Sequence, residues 1–129
     1  MAIYHFSAKV IQRSAGRSVV AAAAYRAAEK LHDERLERDH DYTAKAGVVH
    51  TEILLPDNAP LRWHMAEAAS AEEKRATREQ LWNEVERIER RKDAVLAREV
   101  EFALPRELSQ AEGVQLARDF VREQFVARG

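Results

Sequence analysis

Residues 13–30, RSAGRSVVAAAAYRAAEK, decide how this chain begins to fold. A loop punctuated by Ser14, Gly16 and Ser18 runs into four alanines, Ala21 to Ala24, and then a single tyrosine, Tyr25. Alanine is the best helix former and carries almost no bulk, so this segment reads as a helix able to pack very close to a neighbouring surface. At about 100° per residue, Val20, Ala24, Ala27 and Leu31 form one stripe, and Tyr25 lies roughly 140° round from Val20, beside Ser18, Ala21, Ala22 and Ala28. The phenol therefore projects from a flat, small-residue face. A helical tyrosine ordinarily packs against a loop and hydrogen-bonds through its hydroxyl; the sharper reading is a nucleophile.

Charge supports a polar, anionic substrate for that tyrosine. The whole chain carries a net charge of only −1 over 129 residues, yet within residues 1–30 Lys9, Arg13, Arg17, Arg26 and Lys30 face Glu29 alone, a local balance of +4. Phosphates are held by Arg, Lys, Ser and helix N-termini, so a phosphodiester fits this surface better than a carbohydrate or an apolar ligand. Arg13, Ser14, Arg17, Ser18 and Arg26 are the candidate phosphate contacts, each of which alone would otherwise be a helix cap or a solvated charge.

Outward from the helix, 129 residues suit one domain, read as a single α+β unit over residues 1–129. No cysteine is present, Lys9 and Arg13 break the one apolar stretch near the start, and no run approaches a membrane span, so a cytoplasmic protein with no membrane partner is expected. Residues 2–11 alternate as a strand with one drier face would, Tyr4, Phe6, Ala8 and Val10 on one side and Ile3, His5, Ser7, Lys9 and Ile11 on the other. Residues 32–40 are too charged and aperiodic for core and read as a solvated helix end or loop. Residues 42–47 have hairpin character with Gly47 as the turn, leading to a strand over 48–55 that Pro56 closes. A short helix carrying Trp63 is expected over 60–67. A long helix follows from Ala71 to about Ala97 on the spacing of Leu81, Val85, Ile88, Val95 and Leu96, with residues 89–92 as its solvated face. A strand over 98–104 stops at Pro105, and a capping box at Ser109 and Glu112 opens a last helix.

Several ordered blocks resemble the relaxase domain of the MobA/MobL (MobQ-type) plasmid mobilisation family: the opening MAIYHFSAK, RSxGxS from Arg13, AAAYR around Tyr25, HDYTxKxGV from His40, HTEILLP from His50, LWNxVE ending at Glu86, and LAREXEXALPREL from Leu96. The resemblance implies an HUH-type endonuclease fold, an antiparallel sheet with flanking helices, ferredoxin-related. It implies a tyrosine, here Tyr25, that attacks a phosphodiester at the origin of transfer and stays joined to the 5′ end of the cut strand. Glu86 is implied as a general-base or metal-assisting residue, and Lys45 as a DNA contact from its hairpin block.

In the family a divalent metal, Mg²⁺ or Mn²⁺, polarises the phosphate from three histidines that lie on a strand after the last helix. The five histidines here, His5, His32, His40, His50 and His64, show no H-x-H pair, so the expectation is no metal on this chain alone and a sheet lacking its last strands. Of these, His5 is weighed as a cleft residue because it shares its strand face with Ser7 and Lys9. Expected partners are single-stranded origin DNA, relaxosome accessory and coupling proteins, and a second copy or complementing C-terminal segment on the exposed edges. Two readings stay open: a DNA-nicking strand transferase, and a non-catalytic DNA-binding or relaxosome-assembly module in which Tyr25 only stacks on a base.

Overall fold

The computed structural model describes residues 4–64 and 69–127, with side chains from Phe6 onward. It is a mixed α+β arrangement of antiparallel strands and helices. The His5 side chain, and residues 65–67 of the helix expected after Pro60, lie outside the described residues. In the described part of that stretch Leu61–Trp63 forms one 3₁₀ turn.

Strand β1 (Tyr4–Gln12) pairs antiparallel with β4 (Val95–Ala103), Lys9 opposite Glu99 and Ile11 opposite Ala97. Among the described residues this sheet is two strands wide, so each strand keeps one unpaired edge. One drier face was expected, but Phe6 to Val10 are exposed on both faces of β1, and among its described side chains only Ile11 is buried. Period-2 alternation marks two faces, but what covers a face is a tertiary matter.

Helix α1 (Val19–Ala27) starts at the Ser18 cap and stops before Lys30, earlier than its sequence pattern suggests. Ala28 takes the left-handed conformation (φ 54°), a C-cap geometry that turns the chain sharply away from the helix. Lys30 then opens a hairpin of β2 (Lys30–Asp33) and β3 (Arg38–Asp41), where a solvated helix end or loop was expected. The charged composition of this segment is misleading because every second residue points inward: Leu31, Asp33 and His40 are buried while their neighbours are solvated. Conversely, the hairpin and strand expected over residues 42–55 are not formed; Gly47 does turn the chain (φ 95°), but residues 45–56 run without strand pairing. That stretch is anchored instead by Glu52, whose carboxylate accepts from Arg118 Nε and a terminal guanidinium nitrogen at 2.8 and 2.9 Å, which holds its pKa down to about 2.

Helix α2 (Ala71–Ile88) carries a Ser70–Glu73 capping box and ends nine residues before Ala97. Val95 and Leu96, which continue its periodicity on paper, belong to β4, and the strand expected from Arg98 starts there. The buried face of α2 is polar: Arg78, Asn83 and Glu86 are enclosed, whereas Ile88 is exposed. Helix α3 (Gln110–Val121) has the Ser109–Glu112 capping box its sequence signals and runs on into a π turn at Arg122–Val126. It lies over the sheet through Phe120, whose ring meets Phe102 of β4 at 5.0 Å.

Ile11, Val19, Val20, Ala24, Leu31, Ala94 and Leu96 form the core, with Trp82 and Val85 packed against it. Fully burying a branched aliphatic side chain contributes about 1.5–3 kcal/mol, so Val20 and Leu31 fix α1 on the hairpin. Among the described residues no helix is long and apolar enough to cross a membrane.

Candidate functional site

Helix α1, the hairpin and β4 meet in a cleft of about 380 Å³ lined by Arg17, Tyr25, Arg26, Arg38, His40 and Glu99, with Lys9 at its edge. Tyr25 stands here because α1 is otherwise alanine on this side, which lets the hairpin approach closely. Its ring meets Tyr42 edge-on, with centroids 5.3 Å apart. Lys45 Nζ sits 3.9 Å from the ring centroid and donates to the Tyr25 carbonyl oxygen at 2.9 Å. The ring is thereby fixed from two sides, while the residue is 46% exposed and its hydroxyl makes no hydrogen bond among the described residues. A tyrosine kept for packing alone usually finds a partner for that hydroxyl.

The cations around it are held in place by a carboxylate. Glu99 accepts from Arg17 at 2.9 Å and from Arg26 Nε at 3.0 Å, and Arg26 also approaches Glu101 at 3.7 Å. Burial pushes the Glu99 carboxyl upward, but the guanidinium hydrogen bonds from Arg26 and Arg17 outweigh it and hold its pKa below the usual value. Both arginine side chains remain more than two-fifths exposed, within reach of an incoming anion.

The remaining residues singled out by sequence fall in different places. Arg13 is turned away from the cleft: its guanidinium donates to the Glu86 carboxylate at 3.0 Å, to the Glu86 carbonyl at 2.9 Å and to the Arg91 carbonyl at 3.1 Å. Ser14 is exposed on a 3₁₀ turn, and Ser18 is the cap of α1, accepting from the Ala21 N–H at 3.1 Å. Lys45 touches Tyr25 directly. Glu86 is 4% exposed and does not line the cleft. Its oxygens accept from Arg13, from Arg35 Nε at 2.8 Å and from the Val19 N–H at 3.1 Å, so it neutralises two guanidiniums and caps the positive end of α1. Its carboxylate thus ties α1 to α2, outside the cleft that holds Tyr25.

Sequence reasoning missed Asp33, His40, Arg38 and Glu99. Asp33 is fully buried and accepts from Ser18 Oγ at 2.6 Å and from the Leu36 N–H at 3.1 Å, with His40 Nε2 at 2.9 Å. Burial raises its pKa, and the hydrogen bonds from Ser18, His40 and Leu36 more than reverse that, leaving it below the ordinary carboxylate value. Its folded pKa thus lies below its unfolded one, so the stabilisation is complete above the unfolded value and is lost as pH falls through the folded value. Thermal unfolding followed by circular dichroism is expected to hold steady from pH 7 to 5 and to weaken below about pH 4. Asp33→Asn is expected to lower Tm at pH 7 and to flatten that acid limb.

Among the described residues no group of three or more His, Cys, Asp or Glu side chains converges to hold a metal ion. Anion binding, orientation and proton transfer around Tyr25 are chemistry that the cleft residues themselves offer.

Known proteins resemble this chain along its length. Residues 17–129 match the model of the MobA/MobL family. The conjugal transfer protein TraA of Agrobacterium fabrum is 46% identical over 129 residues, all of this chain and 12% of that protein. The mobilization protein MobL of Acidithiobacillus ferridurans is 46% identical over 122 residues, 95% of this chain and 28% of its own length. The probable mobilization protein MobA of Bifidobacterium longum is 33% identical over all of this chain and 21% of its own. A solved structure described as the molecular basis of vancomycin resistance transfer in Staphylococcus aureus superposes with a TM-score of 0.79 at 32% identity, over 95% of this chain and 56% of that one. The chain spans a minor part of each of these named transfer and mobilisation proteins. On the match over residues 17–129, the chain belongs to the MobA/MobL family.

Proposed function

We propose that this chain is the tyrosine-bearing part of a relaxase that nicks single-stranded origin-of-transfer DNA during plasmid conjugation or mobilisation. One observation carries the reading: an exposed tyrosine with an uncommitted hydroxyl, its ring fixed by Lys45 and Tyr42, opens on a cleft bearing Lys9, Arg17, Arg26 and Arg38. Tyr25 Oη attacks phosphorus, the bond to the 3′ oxygen breaks, and the 5′ phosphate remains on the tyrosine. Arg17 and Arg26, pre-oriented by Glu99, hold the non-bridging oxygens as charge builds on them. The divalent metal that the resemblance implies would polarise the same phosphate. Relaxosome and coupling proteins are the partners this activity calls for.

Electrostatics give the first test. Each phosphate neutralised on a single strand contributes about −0.7 to the slope of log K against log salt. Fluorescence-anisotropy titrations of labelled single-stranded DNA at several salt concentrations are expected to show weaker binding and a shallower slope, by about one contact, for Arg17→Ala and for Arg26→Ala. An unchanged slope in both variants would remove these arginines from the interface.

A further inference from the structure

Beneath the Tyr25 cleft lies a polar cluster that attack by the tyrosine leaves without a role. Ser18, Asp33 and His40 are all more than nine-tenths buried and joined through Asp33 Oδ2, which accepts from Ser18 at 2.6 Å and stands 2.9 Å from His40 Nε2. A buried carboxylate at Nε2 favours the tautomer that carries its proton there and leaves Nδ1 as an acceptor. Nδ1 has no hydrogen-bond partner among the described residues. Nor is it enclosed: the buried side-chain nitrogens lacking a partner there are Arg13 Nε and Trp63 Nε1. His40 itself is one of the residues that line the cleft.

The elements run side by side so that Ser18 meets Asp33 and, two turns along α1, Tyr25 meets Tyr42, two residues beyond His40. Helical side chains lean toward the N-terminus of their helix, which tips the Tyr25 phenol back over the turn at Ala21, toward His40. The geometry points to His40 as the base that takes the phenolic proton of Tyr25, with Asp33 as its positioning partner. This rests on Tyr25 being the nucleophile. As the Oη–phosphorus bond forms and the phosphorus–O3′ bond breaks, the phenolic proton passes to Nδ1, and the imidazolium then returns it to the departing 3′ oxygen. Asp33 stabilises that imidazolium from behind. Lys9, Arg17, Arg26 and Arg38 across the cleft oppose it, and Glu99 offsets them in part.

The test measures the rate of denaturant-resistant protein–DNA adduct from pH 5 to 9, with Mn²⁺ present. The protein is a chimaera in which these 129 residues replace the matched part of the Agrobacterium fabrum TraA, acting on that protein's origin DNA. The wild-type rate is expected to rise across the range where imidazoles titrate, about pH 5.5 to 7.5, and then level. His40→Gln is expected to lose about 10²- to 10⁴-fold at pH 7 and to show a rate that keeps climbing to pH 9. Asp33→Asn is expected to lose less. A wild-type profile with no inflection in that range overturns the assignment, and so does His40→Gln with the wild-type rate and profile. The wild-type curve decides alone if His40→Gln does not fold. Loss of adduct in Tyr25→Phe with full activity in His40→Gln sinks only the base, whereas adduct formation by Tyr25→Phe sinks the nucleophile itself.

Discussion

Tyr25→Phe is expected to abolish covalent attachment to DNA, a loss of more than about 10³-fold, while moving thermal stability by no more than about 0.5 kcal/mol. The two effects separate because the hydroxyl makes no hydrogen bond among the described residues, whereas the ring does the packing. The edge-on contact with Tyr42 and the Lys45 cation above the ring need no oxygen, and phenylalanine preserves both. The comparison also divides catalysis from simple binding. A stacking platform works as well with phenylalanine, so a non-catalytic DNA-binding module would keep its affinity and have no adduct to lose. The substitution is best placed in the TraA chimaera and scored by denaturing gel electrophoresis beside wild-type TraA. An unsubstituted chimaera, with Tyr25 in place, that folds, binds the origin and forms no adduct would count against the nucleophile reading, and so would an adduct formed by its Tyr25→Phe variant.

Glu86→Ala is expected to cost about 3–5 kcal/mol of folding stability, the range for removing one partner of a buried ion pair. Its carboxylate serves Arg13, Arg35 and the first N–H of α1 together, and its loss leaves the largely buried Arg13 and the one-third-exposed Arg35 without their shared counter-charge. Arg13 cannot retreat to solvent, because it also holds the Glu86 and Arg91 carbonyls where α2 gives way to the turn before β4. Domains of this size hold about 5–15 kcal/mol in total, so a fall in Tm on the order of 10–20 °C is expected by calorimetry. Glu86→Gln keeps an acceptor for the Val19 N–H and is expected to lose less. Were Glu86 instead the base for Tyr25, Glu86→Gln would remove adduct formation with an unchanged Tm.

Legibility differed between backbone and site for physical reasons. The alanine helix, its Ser18 cap, the strand before it and the capping box at Ser109 were readable because each is set by local chemistry. The hairpin at residues 30–41 was hidden because its inward positions hold Asp33 and His40, which read as solvated until Ser18 arrives from the start of α1 and bonds the Asp33 carboxylate that His40 also meets. The end of α2 was hidden because Val95 and Leu96 continue a helical spacing across a turn that Arg13 stabilises from far away in sequence. Tyr25, Arg17 and Arg26 stood out through their contrast with alanine. Glu99 did not, since an alternating Glu99, Glu101 pair looks like an ordinary solvated strand face until two arginines from α1 and its entry loop converge on it.

The central claim is that Tyr25 becomes joined to DNA, and locating the attached nucleotide tests it most directly. Trypsin cuts after Arg17 and Arg26, releasing residues 18–26 with Tyr25 as their one tyrosine, and after Arg38 and Lys45, releasing residues 39–45 with Tyr42. Nuclease trimming of the adduct followed by tandem mass spectrometry is expected to place the phosphonucleotide on the 18–26 peptide. Finding it on the Tyr42 peptide, or on any other part of the chain, would contradict the account.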